Sequence, residues 1–168
     1  MPRFKLLQAT GKFAISFVAV VVIQGVLAYK FPLFHYFDLP LICTVYYGFT
    51  LGNPILSIVM GTCLGLMQDS LSVAVLGTNG FSKTLIGFLA ASAVTRFAVD
   101  QLITRVFALF LFTLGDGLLV TMLAQMVGPA SNATYSGAVG EWILSATFNT
   151  LLGLVLLGYH DRLMNATT

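Results

Sequence analysis

The sequence predicts an all-α, polytopic membrane protein, one integral membrane domain over residues 1–168 with about six transmembrane helices. Composition is the first reason: of 168 residues, 58% are hydrophobic and 8% charged, with a mean hydropathy of +0.94, whereas soluble globular chains carry roughly 25% charged residues. The second is that the apolar residues fall into successive runs near the length of about 20 residues that a helix needs to cross about 30 Å of hydrocarbon. The third is charge placement. With the N-terminus in the cytoplasm and six crossings, Arg3, Lys5, Lys12, Arg96, Arg105 and Arg162 fall inside and only Lys30 and Lys83 outside, as the positive-inside rule asks.

Basic residues precede a first apolar run from Phe13 to Tyr29, which reads as an uncleaved first helix because no A-x-A-like site follows it. Lys30 to Asp38 is aromatic and contains Pro32, which suits an interfacial connection at headgroup level. Leu39 to Gly52 is apolar but only about 14 residues long, so it is a short or tilted span or a re-entrant piece shielded by protein. Asn53 and Pro54 break the chain, since proline lacks a donor and disfavours helix at the residue before it. Pro54 to Met67 resumes the apolar pattern.

Gly61 and Gly65 stand at the G-x-x-x-G spacing that lets helix backbones approach, and Gly48 and Gly52 repeat it one segment earlier. Ser70 to Asn79 reads as a turn on the outer side, closed by Gly77, Thr78, Asn79 and Gly80. Phe81 to Phe97 is the next span, with Gly87 and Ala91 suited to helix contact. An aqueous connection marked by Arg96, Asp100 and Arg105 follows. Val106 to Val127 places Asp116 near its centre between Gly115 and Gly117, and the uncharged loop Gly128 to Gly140 leads to a last span from Trp142 to Tyr159.

Several function classes are excluded by what is missing. The net charge of +2 is spread over scattered basic residues, so nucleic acid is not a partner. Cys43 and Cys63 lie in apolar runs and read as free thiols. His35 is expected outside and His160 inside, and the chain has no H-E-x-x-H, G-x-S-x-G or P-loop. Asp69 and Asp116 lack the flanking residues of intramembrane aspartyl proteases and fall at different depths of this topology. The sequons at Asn132 and Asn165 are short patterns that chance supplies, and Glu141 complements the helix macrodipole at the start of the last span. No enzyme, metal or cofactor is expected.

The remaining polar residues are the candidate site. Near a membrane segment an ionisable group is expensive and is normally paired or turned toward protein. Asp69 and Lys83 flank one connection, and two readings stay open: an ion pair that pins the turn, with Gln68 and Asn79 as hydrogen-bond partners, or a polar surface read by a partner protein. Asp116 likewise reads either as a neutral acid bonded to a neighbouring helix or as a contact lining a ligand cavity.

Gly65, Leu66, Gln68 and Asp69, followed by Leu76, Gly77, Asn79, Lys83, Thr84, Leu85 and Gly87, resemble the signature of the MreD family of bacterial rod shape-determining membrane proteins. The pattern is G-L-x-Q-D, a short stretch, then L-G-x-N-x-x-x-K-x-L-x-G; the departure is Val73 to Val75, where small residues are common in the family. The resemblance implies a fold similar to the substrate-binding subunits of energy-coupling-factor transporters. It also implies a non-enzymatic scaffold of the elongation machinery in the inner membrane, both termini cytoplasmic, binding MreC directly, with MreB, RodA and a class B penicillin-binding transpeptidase in the same complex. The alternative is a vitamin-binding subunit of such a transporter. Polar groups spread over different depths speak against it, and a closed cavity near Asp116 and Trp142 would speak for it.

Overall fold

A computed structural model of the chain describes residues 18, 20–27, 29–31, 34, 36–72, 76–96, 102–127 and 139–166. These residues form six helices. Residues 20–27 are helical, as are 18, 29 and 30, and constitute α1; then come α2 (Leu39–Leu51), α3 (Pro54–Leu71), α4 (Thr78–Arg96), α5 (Leu102–Val127) and α6 (Val139–Ala166). Three stretches are long and apolar enough to cross a membrane: Pro54–Leu71, Ile103–Met126 and Val139–Leu156. α2 is apolar but shorter, and the polar opening of α4 keeps that helix outside the set.

Local chemistry sets the start and stop of α2 and the start of α3. Asp38 caps α2 by accepting from Leu41 N at 2.9 Å, with Pro40 in the first turn, where a missing N–H costs nothing. Gly52 ends α2 in the left-handed conformation at φ 55°, its N–H bonded to Gly48 O at 3.2 Å. Asn53 caps α3 through Ile55 N and Leu56 N, and Pro54 is its first residue.

The connection between α3 and α4 is shorter than the turn expected from Ser70 to Asn79, because Ser70 and Leu71 finish α3 while Thr78 and Asn79 begin α4. Arg96 and Arg105 lie within α4 and α5, and α6 extends past both ends of the expected last span. Asp100 and Val73 to Val75 lie outside the described residues, as do His35 and Asn132.

α3 and α4 pack with their backbones nearly touching. A Cβ on Gly61 would overlap Lys83 O, and one on Gly65 would overlap Asn79 O and come within 2.6 Å of Gly80 Cα. Gly87 faces Ser57 O in the same way, and Gly48 of α2 faces Ala90 and Ala91 of α4. The glycine spacing therefore does what small residues do between membrane helices, with one correction. Gly52 packs against nothing; its role is the left-handed cap. Leu41, Ile42, Val45, Phe49, Ile86, Ala90 and Leu109 form the apolar core between α2, α4 and α5, while Val21 and Leu64 hold α1 on α3.

The aromatic stretch before α2 does not stay at headgroup level throughout. Phe37 packs on Phe148 with ring centroids 5.2 Å apart, and Asp38 N donates to Asn149 Oδ1 at 2.8 Å. Both partners lie near the centre of the apolar window Val139–Leu156. Gln24 of α1 ties the same point, donating to Phe37 O at 3.0 Å and accepting from Leu39 N at 2.7 Å. A short helix is thus seated with its N-terminus inside the bundle.

Candidate functional site

Two polar networks meet on α4. The first surrounds Asp69, near the end of α3 and 2% exposed. Its Oδ2 accepts from Gly77 N at 2.8 Å and Gly80 N at 3.0 Å; its Oδ1 accepts from Asn79 N at 3.1 Å and Asn79 Nδ2 at 2.9 Å, with Thr78 Oγ1 at 3.5 Å. The first turn of a helix leaves N–H groups with no partner inside the helix. Asp69 supplies that partner from the preceding helix, and its charge suits the positive end of the α4 dipole. Gly77 enters the turn at φ 101°, a conformation that side chains rarely adopt.

The second network surrounds Lys83, which is 0% exposed. Its ammonium lies 2.8 Å from Asp38 Oδ2, 3.2 Å from Asn79 Oδ1 and 3.6 Å from Asp116 Oδ2. Ser82 Oγ donates to Asp116 Oδ1 at 2.6 Å. The ammonium donates to Asp38 and Asn79 and stands beside the Asp116 carboxylate, the paired and hydrogen-bonded surroundings a buried charge needs to offset its desolvation.

Asn79 belongs to both networks. Its amide nitrogen donates to Asp69 while its amide oxygen accepts from Lys83. The direct Asp69–Lys83 pair expected from sequence is therefore corrected: Asp69 caps α4, Lys83 is neutralised by Asp38 and Asp116, and Asn79 links the two. Asn79 and Lys83 are four residues apart on one helix, so they share a face; Asp38 comes from 45 residues away.

Gln68, expected to assist the pair, does not join it, and its buried Oε1 has no hydrogen-bond partner among the described residues. Asp116 does bond a neighbouring helix, as its packing reading requires, but beside a cation rather than among neutral groups. The expectation that the polar residues occupy different depths is overturned, since α4 brings Asp38, Asn79, Lys83 and Asp116 into one cluster. Asp69 and Asp116 hold different partners, so they form no carboxylate pair. Trp142, where a cavity would favour a small-molecule carrier, lays its ring on α5 at Gly117. Cys43 and Cys63 are free thiols.

Sequence reasoning missed Asp38, Ser82 and Asn149. Asp38 was legible, because Asp followed within two residues by Pro before an apolar run is a helix start. Asn149 had a weaker signal: a lone amide inside a membrane run normally bonds another helix. Ser82 had none.

Apolar helices joined by a buried ion cluster define an integral membrane protein whose polar residues serve contacts between helices. Residues 8–162 match the family described as rod shape-determining protein MreD, and the chain belongs to that family. Comparison with curated proteins and with solved structures returns no match.

Proposed function

We propose that the protein is a non-enzymatic scaffold of the cell-elongation machinery, binding MreC directly and sharing a complex with MreB, RodA and a class B penicillin-binding transpeptidase that builds peptidoglycan. Family membership supplies the rod-shape role. The observation that carries the scaffold reading is the burial of the motif itself. Asp69, Asn79 and Lys83 spend their hydrogen-bonding capacity on one another, on the start of α4, and on Asp38 and Asp116. They shape a surface and do not present a charge to a substrate. Around that turn the exposed residues are Leu71, Leu76 and Phe81 together with Ser70 and Ser72, none of them charged.

The same reading sets a single domain of six crossings in the inner membrane with both termini in the cytoplasm. Lys83 is buried and carries no topological information, so the basic residues now count six against Lys30 alone. A fold like the substrate-binding subunits of energy-coupling-factor transporters is part of this proposal.

Affinity purification of the full chain from native membranes tests it. MreC is expected to co-purify, and Leu76→Glu, which places a charge on a residue 70% exposed, is expected to lower MreC recovery with the protein's own level kept. Recovery of a vitamin in place of MreC would make the protein a transporter subunit, and undiminished MreC with Leu76→Glu would move the contact elsewhere.

A further inference from the structure

Glu141 is exposed in the first turn of α6 and joins no ion pair among the described residues, where the pairs are Lys83 with Asp38 and with Asp116. Its depth follows from the helix register. The ring of Trp142, the next residue, lies against Gly117 of α5, and α5 runs on from there to Met126 at the end of its apolar stretch, about 14 Å of helix. α3 reaches a similar height. Gly65 meets Asn79 and Gly80, just nearer the α3–α4 turn than the contact of Ser82 with Asp116, and the helix continues from there to Leu71. Two neighbouring helices thus carry exposed apolar surface, at Met126 and Leu71, about 10 Å beyond Glu141. Residues 128–138, which join α5 to α6, include no charged residue that could pair with it.

The positive end of the α6 dipole favours an acid in this turn, but that attraction recovers only part of what a charge costs inside a membrane span. An ionisable group at such a depth is normally paired or turned toward protein, and within this chain Glu141 is neither. We propose that Glu141 and the exposed side of α6 receive a transmembrane helix of another protein, and that this helix carries a Lys or Arg at the same depth. The inference goes beyond the scaffold reading and does not require the partner to be MreC. It also concerns a different place, since among α2 to α6 the last helix packs only on α5 and α2, away from the α3–α4 turn. Opposite charges brought together out of water attract strongly, which offsets the cost that each bears alone. The approach is unobstructed: Leu144, one turn on, is exposed, and a Cβ on Gly140 would meet nothing within 4 Å. A lipid ammonium fits less well, because it stays at headgroup level, whereas a helix can place its cation at any depth.

Photocross-linking of the full chain in native membranes tests this. With benzoylphenylalanine at position 144, illumination is expected to link α6 to an apolar segment of another protein that contains Lys or Arg, identified by mass spectrometry of the linked peptide. Glu141→Gln keeps the side chain's size and is expected to lower that yield about tenfold, the effect of losing a charge-assisted bond. The protein's own level should hold, because the residue is exposed. Glu141→Asp retains the charge and is expected to keep most of the yield. Links to lipid or to a second copy of this chain alone, no link at all, a linked segment without a basic residue, or an unchanged yield with Glu141→Gln would overturn the proposal. None of these outcomes involves Leu76, so the MreC contact stands or falls separately.

Discussion

The two faces of α4 are held by opposite means. Toward α3 it presents backbone: Gly61 and Gly65 admit the carbonyls of Lys83 and Asn79, and nothing larger than hydrogen fits between. Toward α5 it presents side chains, with Ser82 and Lys83 reaching Asp116. The first contact is fixed by shape, whereas the second is fixed by which polar and charged groups meet. The contrast teaches that one membrane helix can be held by shape on the face where the neighbouring helix offers glycine and by charge on the face where ionisable groups meet.

Filling the glycine face is the strongest way to break this comparison. Gly65→Leu drives a side chain into the backbone of α4, and the expected destabilisation is on the order of 5 kcal/mol or more, because backbone cannot step aside as a flexible side chain does. Fluorescence-detected size exclusion of a tagged protein should show the monodisperse peak lost. A normal peak would mean that α3 and α4 are not in close contact.

The ionic side comes next. Lys83→Met leaves Asp38 and Asp116 facing each other without a cation, at an expected cost of about 3 to 5 kcal/mol in thermal unfolding, and adding Asp116→Asn should return part of it by removing one of the two charges. The exchange Asp69→Lys with Lys83→Asp sharpens the point. It should not restore stability over either single change, since the capping role of Asp69 requires an acceptor and Lys83 has its own acids. Restoration would reinstate a direct pair.

The smallest effect belongs to neither face. Gly52→Ala meets nothing within 4 Å, so its cost comes from the left-handed backbone alone, about 1 kcal/mol. The unfolding midpoint should fall modestly with the ion cluster intact, and an effect as large as that of Gly65→Leu would mean that Gly52 is a packing position after all.

From the sequence by itself came the helical membrane class, the break at Asn53 and Pro54, the packing glycines of α3 and α4, and the choice of Asp69, Asn79, Lys83 and Asp116 as the polar residues to follow. These are written in chemistry that acts over a few residues: a cap reaches the next turn, a proline blocks its own donor, and the i, i+4 spacing places Asn79 and Lys83 on one face. Only the tertiary structure decided which acid serves which cation. Asp38 is 45 residues from Lys83, and Asp116 is 34 from Ser82. Those pairings depend on the depth at which α2 begins and on how far α5 slides along α4, and local propensity sets neither. The nearest acid to Lys83 in the connection, Asp69, was the natural guess. It is claimed instead by the N–H groups of Gly77, Asn79 and Gly80 at the opening of α4, where the first turn of a helix offers such groups no partner within the helix.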